Sequence, residues 1–298
     1  MTIRSRPYDH LQDFNRVGNF LVENFKPGNM DGNWLQPAWE YMLNHPSLDW
    51  SVLDKIRLWE DEGKLAGVAN YESRLGEAFF QLHPDYLHLR GAMLDYAEMY
   101  LAEISQPGQH SLRVYINDFD QGFMKMVSSR DYQKDPVEDR PMAQFTFPDP
   151  FPEIKLPSGF QLNSLEEDND LRKIHRVLWR GFNHEGEPPE EGIQERLQSQ
   201  STPNFRKDLT MVVQDPHGDF VSYCGIWLDP KCRYCYVEPV ATDPNFRRLG
   251  LGKAAILEGL RRCSRLGISC AFVWNDLEIY ASIGFKVTHT SQCWKKVF

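Results

Sequence analysis

The sequence predicts an α+β protein built as two units in tandem, each a mixed, mostly antiparallel sheet flanked by helices. Three observations carry this. The chain has 298 residues, about two domains at ~150 residues each. Residues 147–157 hold Pro148, Pro150, Pro152 and Pro157; prolines remove amide donors and extend the residue before them, so this stretch reads as a linker. The third observation is an element order that recurs on both sides of it.

After the linker, residues 159–162 form a short strand, and residues 170–182 carry Leu171, Ile174, Val177 and Leu178 at helical spacing. A turn-rich loop over 185–189 precedes a second helix over 191–198. Strands follow at 209–213, 220–227 and 234–240, the first two joined through Pro216-His217-Gly218. A helix over 254–266 ends at Gly267, then come a strand at 271–274, a helix at 277–283, and strands at 285–287 and 293–297. The first half runs through the same order with shorter connections: a hairpin over 55–60 and 64–71, a strand at 78–82, a helix over 89–103, a strand at 111–116 and a helix over 121–129. Short matches align the halves. His83-Pro84-Asp85-Tyr86 parallels Asp243-Pro244-Asn245-Phe246 at an offset of 160, and Ile116-Asn117-Asp118 parallels Trp274-Asn275-Asp276 at 158. The expected division is residues 1–148, a linker over 149–157, and residues 158–298.

Composition narrows the function. Hydrophobic residues make up 41% and charged residues 25%, enough to bury full cores and unlike a disordered or fibrous chain. No apolar run reaches ~18 residues and the first residues lack the apolar core of a secretion signal, so a cytoplasmic protein without a membrane partner is expected. Residues 1–150 hold 14 basic against 23 acidic residues, and residues 151–298 hold 19 of each. An acidic half argues against nucleic acid, whose polyanionic backbone needs basic neutralisation. Six cysteines, all after residue 223, are expected as reduced thiols; Cys232-Arg233-Tyr234-Cys235 has no second pair at matching distance, so no metal site is expected.

The chemistry concentrates in Glu238-Pro239-Val240-Ala241-Thr242-Asp243-Pro244-Asn245-Phe246-Arg247-Arg248-Leu249-Gly250-Leu251-Gly252-Lys253. A strand runs into a turn, and two glycines open a helix. Their missing side chains let backbone amides approach an anion at a helix N-terminus, where free N–H groups and the positive end of the dipole favour it. Arg247, Arg248 and Lys253 add positive charge. The spacing is not that of a P-loop.

This segment resembles motif A of the GCN5-related N-acetyltransferases, Gln/Arg-x-x-Gly-x-Gly/Ala, with Arg247, Gly250 and Gly252 in its fixed places. Tyr280-Ala281-Ser282-Ile283-Gly284-Phe285 is similar to the family's Tyr-x-x-x-Gly-Phe, and Asn275 to an Asn often found between strand and helix there. The tandem arrangement also resembles that of two-domain members such as the mycothiol synthases. The resemblance implies two GNAT-like domains, with acetyl-CoA as donor and coenzyme A as product. It implies cofactor contacts from Val240, Ala241, Thr242, Arg247, Arg248, Leu249, Gly250, Leu251, Gly252, Lys253, Asn275 and Tyr280. The diphosphate would sit on the amides of 247–253 and the pantetheine would pair strand-like with Val240 and Thr242. Tyr280 stands where the family keeps its acid. Glu238, two residues before Val240, has two readings, general base or ion pair and substrate contact. His184 and Glu185 lie in the loop with which family members shape the acceptor pocket, His184 either catalytic or simply exposed.

In the first half, the 160 offset sets Leu87, Arg90 and Ala92 against Arg247, Gly250 and Gly252. An offset near 153 sets Val127 against Tyr280 and Asp131 against Gly284. Without clearance or a phenol, that half is expected not to catalyse but to pack beside the acceptor site. The expected function is N-acetylation of a small-molecule primary amine by direct attack; a non-catalytic acyl-CoA sensor or scaffold, and a peptide or protein amine as acceptor, remain as alternatives.

Overall fold

A computed structural model describes residues 3–229 and 231–298, apart from the side chain of Ser105. In chain order the elements are β1 (Ile3–Pro7), α1 (His10–Asn24), α2 (Gln36–Leu43), β2 (Arg57–Asp61), β3 (Lys64–Asn70), β4 (Glu77–Leu82), α3 (Arg90–Tyr100), β5 (Glu103–Gln106), β6 (Gln109–Asn117), α4 (Gln121–Ser128), β7 (Gln133–Lys134) and β8 (Arg140–Thr146). They continue as β9 (Gln161–Ser164), α5 (Leu171–Gly181), α6 (Gly192–Gln200), β10 (Met211–Gln214), β11 (Phe220–Asp229), β12 (Tyr234–Thr242), α7 (Leu251–Arg265), β13 (Cys270–Val273), α8 (Glu278–Ile283) and β14 (Lys286–Val297). The fold is α+β, with mixed sheets flanked by helices.

Two compact units emerge, Met1–Met142 with Thr288–Phe298, and Ala143–Val287. This departs from the division at the proline stretch. The expected strands 285–287 and 293–297 are one strand, β14, whose residues Ser291–Val297 pair antiparallel with Asn117–Ser111 of β6 in the first unit. Residues 143–146 of β8 pair antiparallel with Val273–Cys270 of β13 in the second. The first of these strands buries His289, Cys293 and Trp294, the second Met142, Ala143 and Phe145. Sequence patterning sets which face a strand buries, not which sheet it joins.

In the first unit β1–β4 form an antiparallel run, and β4 joins β6 in parallel through Glu77↔Arg113 and Ala78↔Val114. In the second, β9, β10, β11 and β12 are antiparallel neighbours and β12 joins β13 in parallel. The same plan thus recurs, a parallel pair set into an antiparallel sheet.

The second unit buries both faces of that sheet. On one face Leu251, Ala255, Ile256 and Leu260 of α7 meet Met211, Val213, Ile226 and Val237. On the other, Ile174, Val177 and Leu178 of α5 meet Val212, Tyr223 and Ala241. Residues 211–213 alternate between the two cores, as the period-two pleat requires. β11 is buried at all ten positions, which is why it reads as continuous and not alternating. At ~25 cal/mol per Å² of apolar surface, these two cores are the main stabilising term. Asp170 starts α5 by accepting from the amides of Arg172 (2.9 Å) and Lys173 (3.1 Å). Gly267 (φ +82°) ends α7 as expected. Among the described residues no helix is long and apolar enough to cross a membrane, and no group of three His, Cys, Asp or Glu is placed to hold a metal.

Candidate active site

The site grows from the mismatch in length between β12 and β13. Their parallel pairing runs Tyr234↔Cys270, Cys235↔Ala271, Tyr236↔Phe272 and ends there, while β12 continues to Thr242. On its other side β12 stays paired with β11, Ser222 opposite Thr242 and Cys224 opposite Val240. The amide of Asp243 donates to the Val221 carbonyl at 3.0 Å. Because antiparallel backbone groups alternate in direction, Ala241 and Asp243 bond toward β11 while Val240 and Thr242 present theirs on the edge away from it. Glu238, Val240 and Thr242 are the half-exposed positions of this stretch, with Pro239 and Ala241 buried between them.

At the end of β12 the chain turns through Arg248 (φ +67°) and Gly250 (φ +81°) into α7. No side chain caps that helix. Its first internal bond is Ala254 N–H to Gly250 O at 3.0 Å, so the amides of Leu251, Gly252 and Lys253 have no helical carbonyl to bond. A Cβ on Gly250 would meet nothing within 4 Å, which leaves the approach to these amides clear. Gly252 works differently from the sequence expectation. Its missing Cβ points at Thr242 Oγ1 (3.0 Å) and Ile279 Cδ1 (3.1 Å), so this glycine seats the helix on β12 and α8 and does not clear space for an anion.

The basic side chains are also redistributed. Arg247 donates to Thr242 O (3.2 Å), Gly181 O (2.8 Å) and Asn183 Oδ1 (2.7 Å). Lys253 donates to the Ser282 carbonyl at 2.7 Å. Arg248 is exposed and faces Glu278 at 3.7 Å. Arg247 and Lys253 are thus bonded to neutral oxygens and keep their charge, which adds to the positive end of the helix dipole. Leu249 is exposed beside it. Asn275 uses its Oδ1 to accept from the Leu277 amide (3.0 Å), which opens α8.

The Tyr-x-x-x-Gly-Phe signature has a geometric cause. Gly284 (φ +119°) stops α8, and the amides of Gly284 and Phe285 both return to the Tyr280 carbonyl at 3.1 Å. Phe285 then folds edge-on against the Tyr280 ring, centroids 5.6 Å apart. Tyr280 is buried; burial first, then the charge of Glu238 and the Cys224 thiol, push its phenol well above the ordinary value. It holds its proton throughout the neutral range. Cys224, buried opposite Val240, is likewise pushed up by burial, Cys263 and Glu238. A thiol held protonated is a poor nucleophile. Tyr280 and Cys224 thus both lie within the electrostatic reach of Glu238, whose backbone carbonyl is fixed by the Trp227 indole N–H at 2.8 Å.

His184 and Glu185 are exposed, as the first reading of that loop allowed. His184 stacks on Trp179 at 4.4 Å, and the Trp179 indole donates to the carbonyls of Glu185 and Gly186, each at 3.2 Å. Sequence reasoning did not single out Arg180 and Asp243. Arg180 grips the Asp243 carboxylate from both ends of its guanidinium, Nη2 reaching Oδ1 at 3.1 Å, and Asn245 N–H adds a bond at 2.9 Å. An Arg at the end of one amphipathic helix and an Asp just past a strand carry no pairing signal in one dimension.

The corresponding cleft of the first unit is built otherwise. Arg90, opposite Gly250 in the alignment, pairs with Asp120 and lies over the Phe123 ring. Leu82, opposite Thr242, has both backbone groups taken by the Asn33 carboxamide. Asn117, opposite Asn275, donates to Gly32 O at 2.9 Å. Val127 is fully buried and has no proton to give. A cavity of about 460 Å³ remains beside these residues.

A strand edge leading into an uncapped helix start, with a buried phenol nearby, is an arrangement an acyltransferase can use. Residues 170–285 match the Acetyltransferase (GNAT) family, and the second unit is a GNAT domain, of the family that uses acyl-CoA donors. Over 99% of its length the chain superposes on 95% of a GCN5-related N-acetyltransferase from Sphaerobacter thermophilus, with a TM-score of 0.66 at 17% identity. It superposes likewise on 98% of a tandem GNAT protein from the clavulanic acid biosynthesis pathway (TM-score 0.63, 12% identity). An N-myristoyltransferase from Saccharomyces cerevisiae, solved with bound myristoyl-CoA and inhibitors, gives 0.54 at 12% identity over 80% of its chain. No curated protein matches by sequence.

Proposed function

We propose that the protein transfers the acetyl group of acetyl-CoA to the primary amine of a small molecule, by direct attack at a single site in the second unit. The observation that carries this is the edge of β12 beyond Tyr236, which runs past Val240 and Thr242 to the free amides at Leu251–Lys253. An extended amide-bearing arm can pair along such an edge while a diphosphate takes the helix start.

The chemistry follows from the groups nearby. The neutral amine attacks the thioester carbonyl, forming the C–N bond. Glu238 takes the proton the nitrogen sheds, and the C–S bond breaks as the tetrahedral centre collapses. Tyr280 gives its proton to the departing sulfur and regains one from Glu238 through solvent, so the products are an acetamide and coenzyme A. A phenol held above its ordinary value donates only as negative charge builds on sulfur, which is when the donation lowers the barrier. The buried, protonated Cys224 supports direct transfer over an acyl-enzyme route.

Release of free thiol from acetyl-CoA across a panel of small amines tests this. Tyr280→Phe is expected to lower kcat about 10²–10⁴-fold with coenzyme A affinity within about threefold, and Glu238→Gln to remove the acidic limb of the pH–rate profile. Coenzyme A binding without turnover on any amine would instead favour a sensor.

A further inference from the structure

Arg247 fills the first place of the glycine motif, yet its guanidinium is turned toward the end of α5. All three of its acceptors are oxygens: Thr242 O closes β12, Gly181 O closes α5, and Asn183 Oδ1 stands in the turn that follows. A planar fork with fixed N–H directions suits such a three-way joint, and a cation at a helix C-terminus is favoured by the dipole. A second arginine crosses the same joint in the opposite direction, Arg180 of α5 reaching Asp243 just past β12. The backbones approach closely beneath them: a Cβ on Gly181 would lie 2.6 Å from Ala241 Cβ and 3.0 Å from Thr242 N. Two loops leave this joint, the 182–191 loop from α5 and the 243–250 turn into α7.

We infer that Arg247 is a positioning residue for the acceptor amine, locking the start of the 182–191 loop to the strand that carries acyl-CoA, and not a ligand of the diphosphate. The inference rests on the proposed function together with the resemblance noted in the sequence, by which the loop of His184 and Glu185 shapes the acceptor pocket. Cofactor affinity then depends on the amides of 251–253 and acceptor recognition depends on the arginine. The amides of Phe182, Asn183 and His184, bonded to Leu178, Arg180 and Trp179, report the state of the joint without any turnover.

Full-length Arg247→Ala and Arg247→Lys test it through coenzyme A titration, acceptor KM and kcat, and hydrogen exchange at 182–184 and 251–257. For Arg247→Ala the expected result is an acceptor KM raised about tenfold or more, the scale of losing charged hydrogen bonds. Exchange at 182–184 should quicken, with coenzyme A affinity within about threefold; Arg247→Lys, a single donor point, should recover part of both. Unchanged exchange at 182–184, or a loss of coenzyme A affinity larger than the rise in acceptor KM, overturns the inference. Should Arg247→Ala fail to fold, Arg247→Gln, which keeps one donor group, carries the same readouts. A chain that binds coenzyme A but acetylates no amine defeats the proposed function and leaves the exchange measurement to decide this one.

Discussion

Asn33 holds Leu82 by both backbone groups, its Oδ1 accepting from the Leu82 amide at 2.6 Å and its Nδ2 donating to the Leu82 carbonyl at 3.4 Å. A carboxamide here imitates the two-point pairing that a pantetheine amide would make with the matching residue of the second unit, Thr242. Asn33 is 4% exposed, and its neighbours are tied down as well, Trp34 N–H to Gln81 Oε1 at 2.7 Å and Gly32 O to Asn117. The strand edge at Leu82 is therefore taken by the first unit's own chain, while a cavity of about 460 Å³ stays beside it. Calorimetric titration should give one coenzyme A per chain; two equivalent sites would contradict this.

Gly252→Val places a side chain where only 3.0–3.1 Å separates the helix from Thr242 and Ile279. Overpacking of this kind costs about 1–3 kcal/mol, and relief requires the first turn of α7 to lift from β12. Coenzyme A affinity should fall more than about tenfold. A folded variant with unchanged affinity would place the diphosphate elsewhere.

The Arg180–Asp243 pair gives the protein an acid-sensitive joint. Burial works to raise the Asp243 carboxyl, but Arg180 and the Asn245 amide outweigh it and hold the group below its ordinary value of 3.8. A lowered folded value means the stabilisation is present above pH 3.8 and is lost as pH falls through the folded value. Urea unfolding of wild type and Asp243→Asn should show a stability gap at pH 7, about 1.5–3 kcal/mol for a charged hydrogen-bonded pair, that narrows below pH 3.8. A gap independent of pH would contradict the assignment.

Fragments cut at the proline stretch should fold poorly. Residues 1–148 lack the strand that pairs along seven residues of β6, and residues 158–298 lack the 143–146 strand beside β13. Exposed edges of this kind promote association. Thermal unfolding should show both fragments less cooperative than the whole chain, and a peptide of residues 286–298 should restore the first. Fragments that each match the full chain's Tm would refute this.

What was legible in the sequence was local. The Gly267 stop and the spacing of Leu171, Ile174, Val177 and Leu178 announce their elements because short-range sterics decide them. The glycine turn and the Tyr280–Phe285 signature were visible for the same reason. Long-range choices were not: β14 carries no mark of the sheet it joins, Gly252 serves packing where its motif suggests clearance, and the head of Arg247 turns from the expected anion to α5. The 3–7 strand and the α1 and α2 helices, all before residue 55, escaped the reading.

A structure of the protein with coenzyme A tests the central claim most directly. The account predicts the diphosphate against the amides of Leu251–Lys253, the pantetheine along Val240 and Thr242, and the sulfur within hydrogen-bond reach of the Tyr280 hydroxyl. A nucleotide seated between β4 and β6 of the first unit, or a sulfur far from Tyr280, would contradict it.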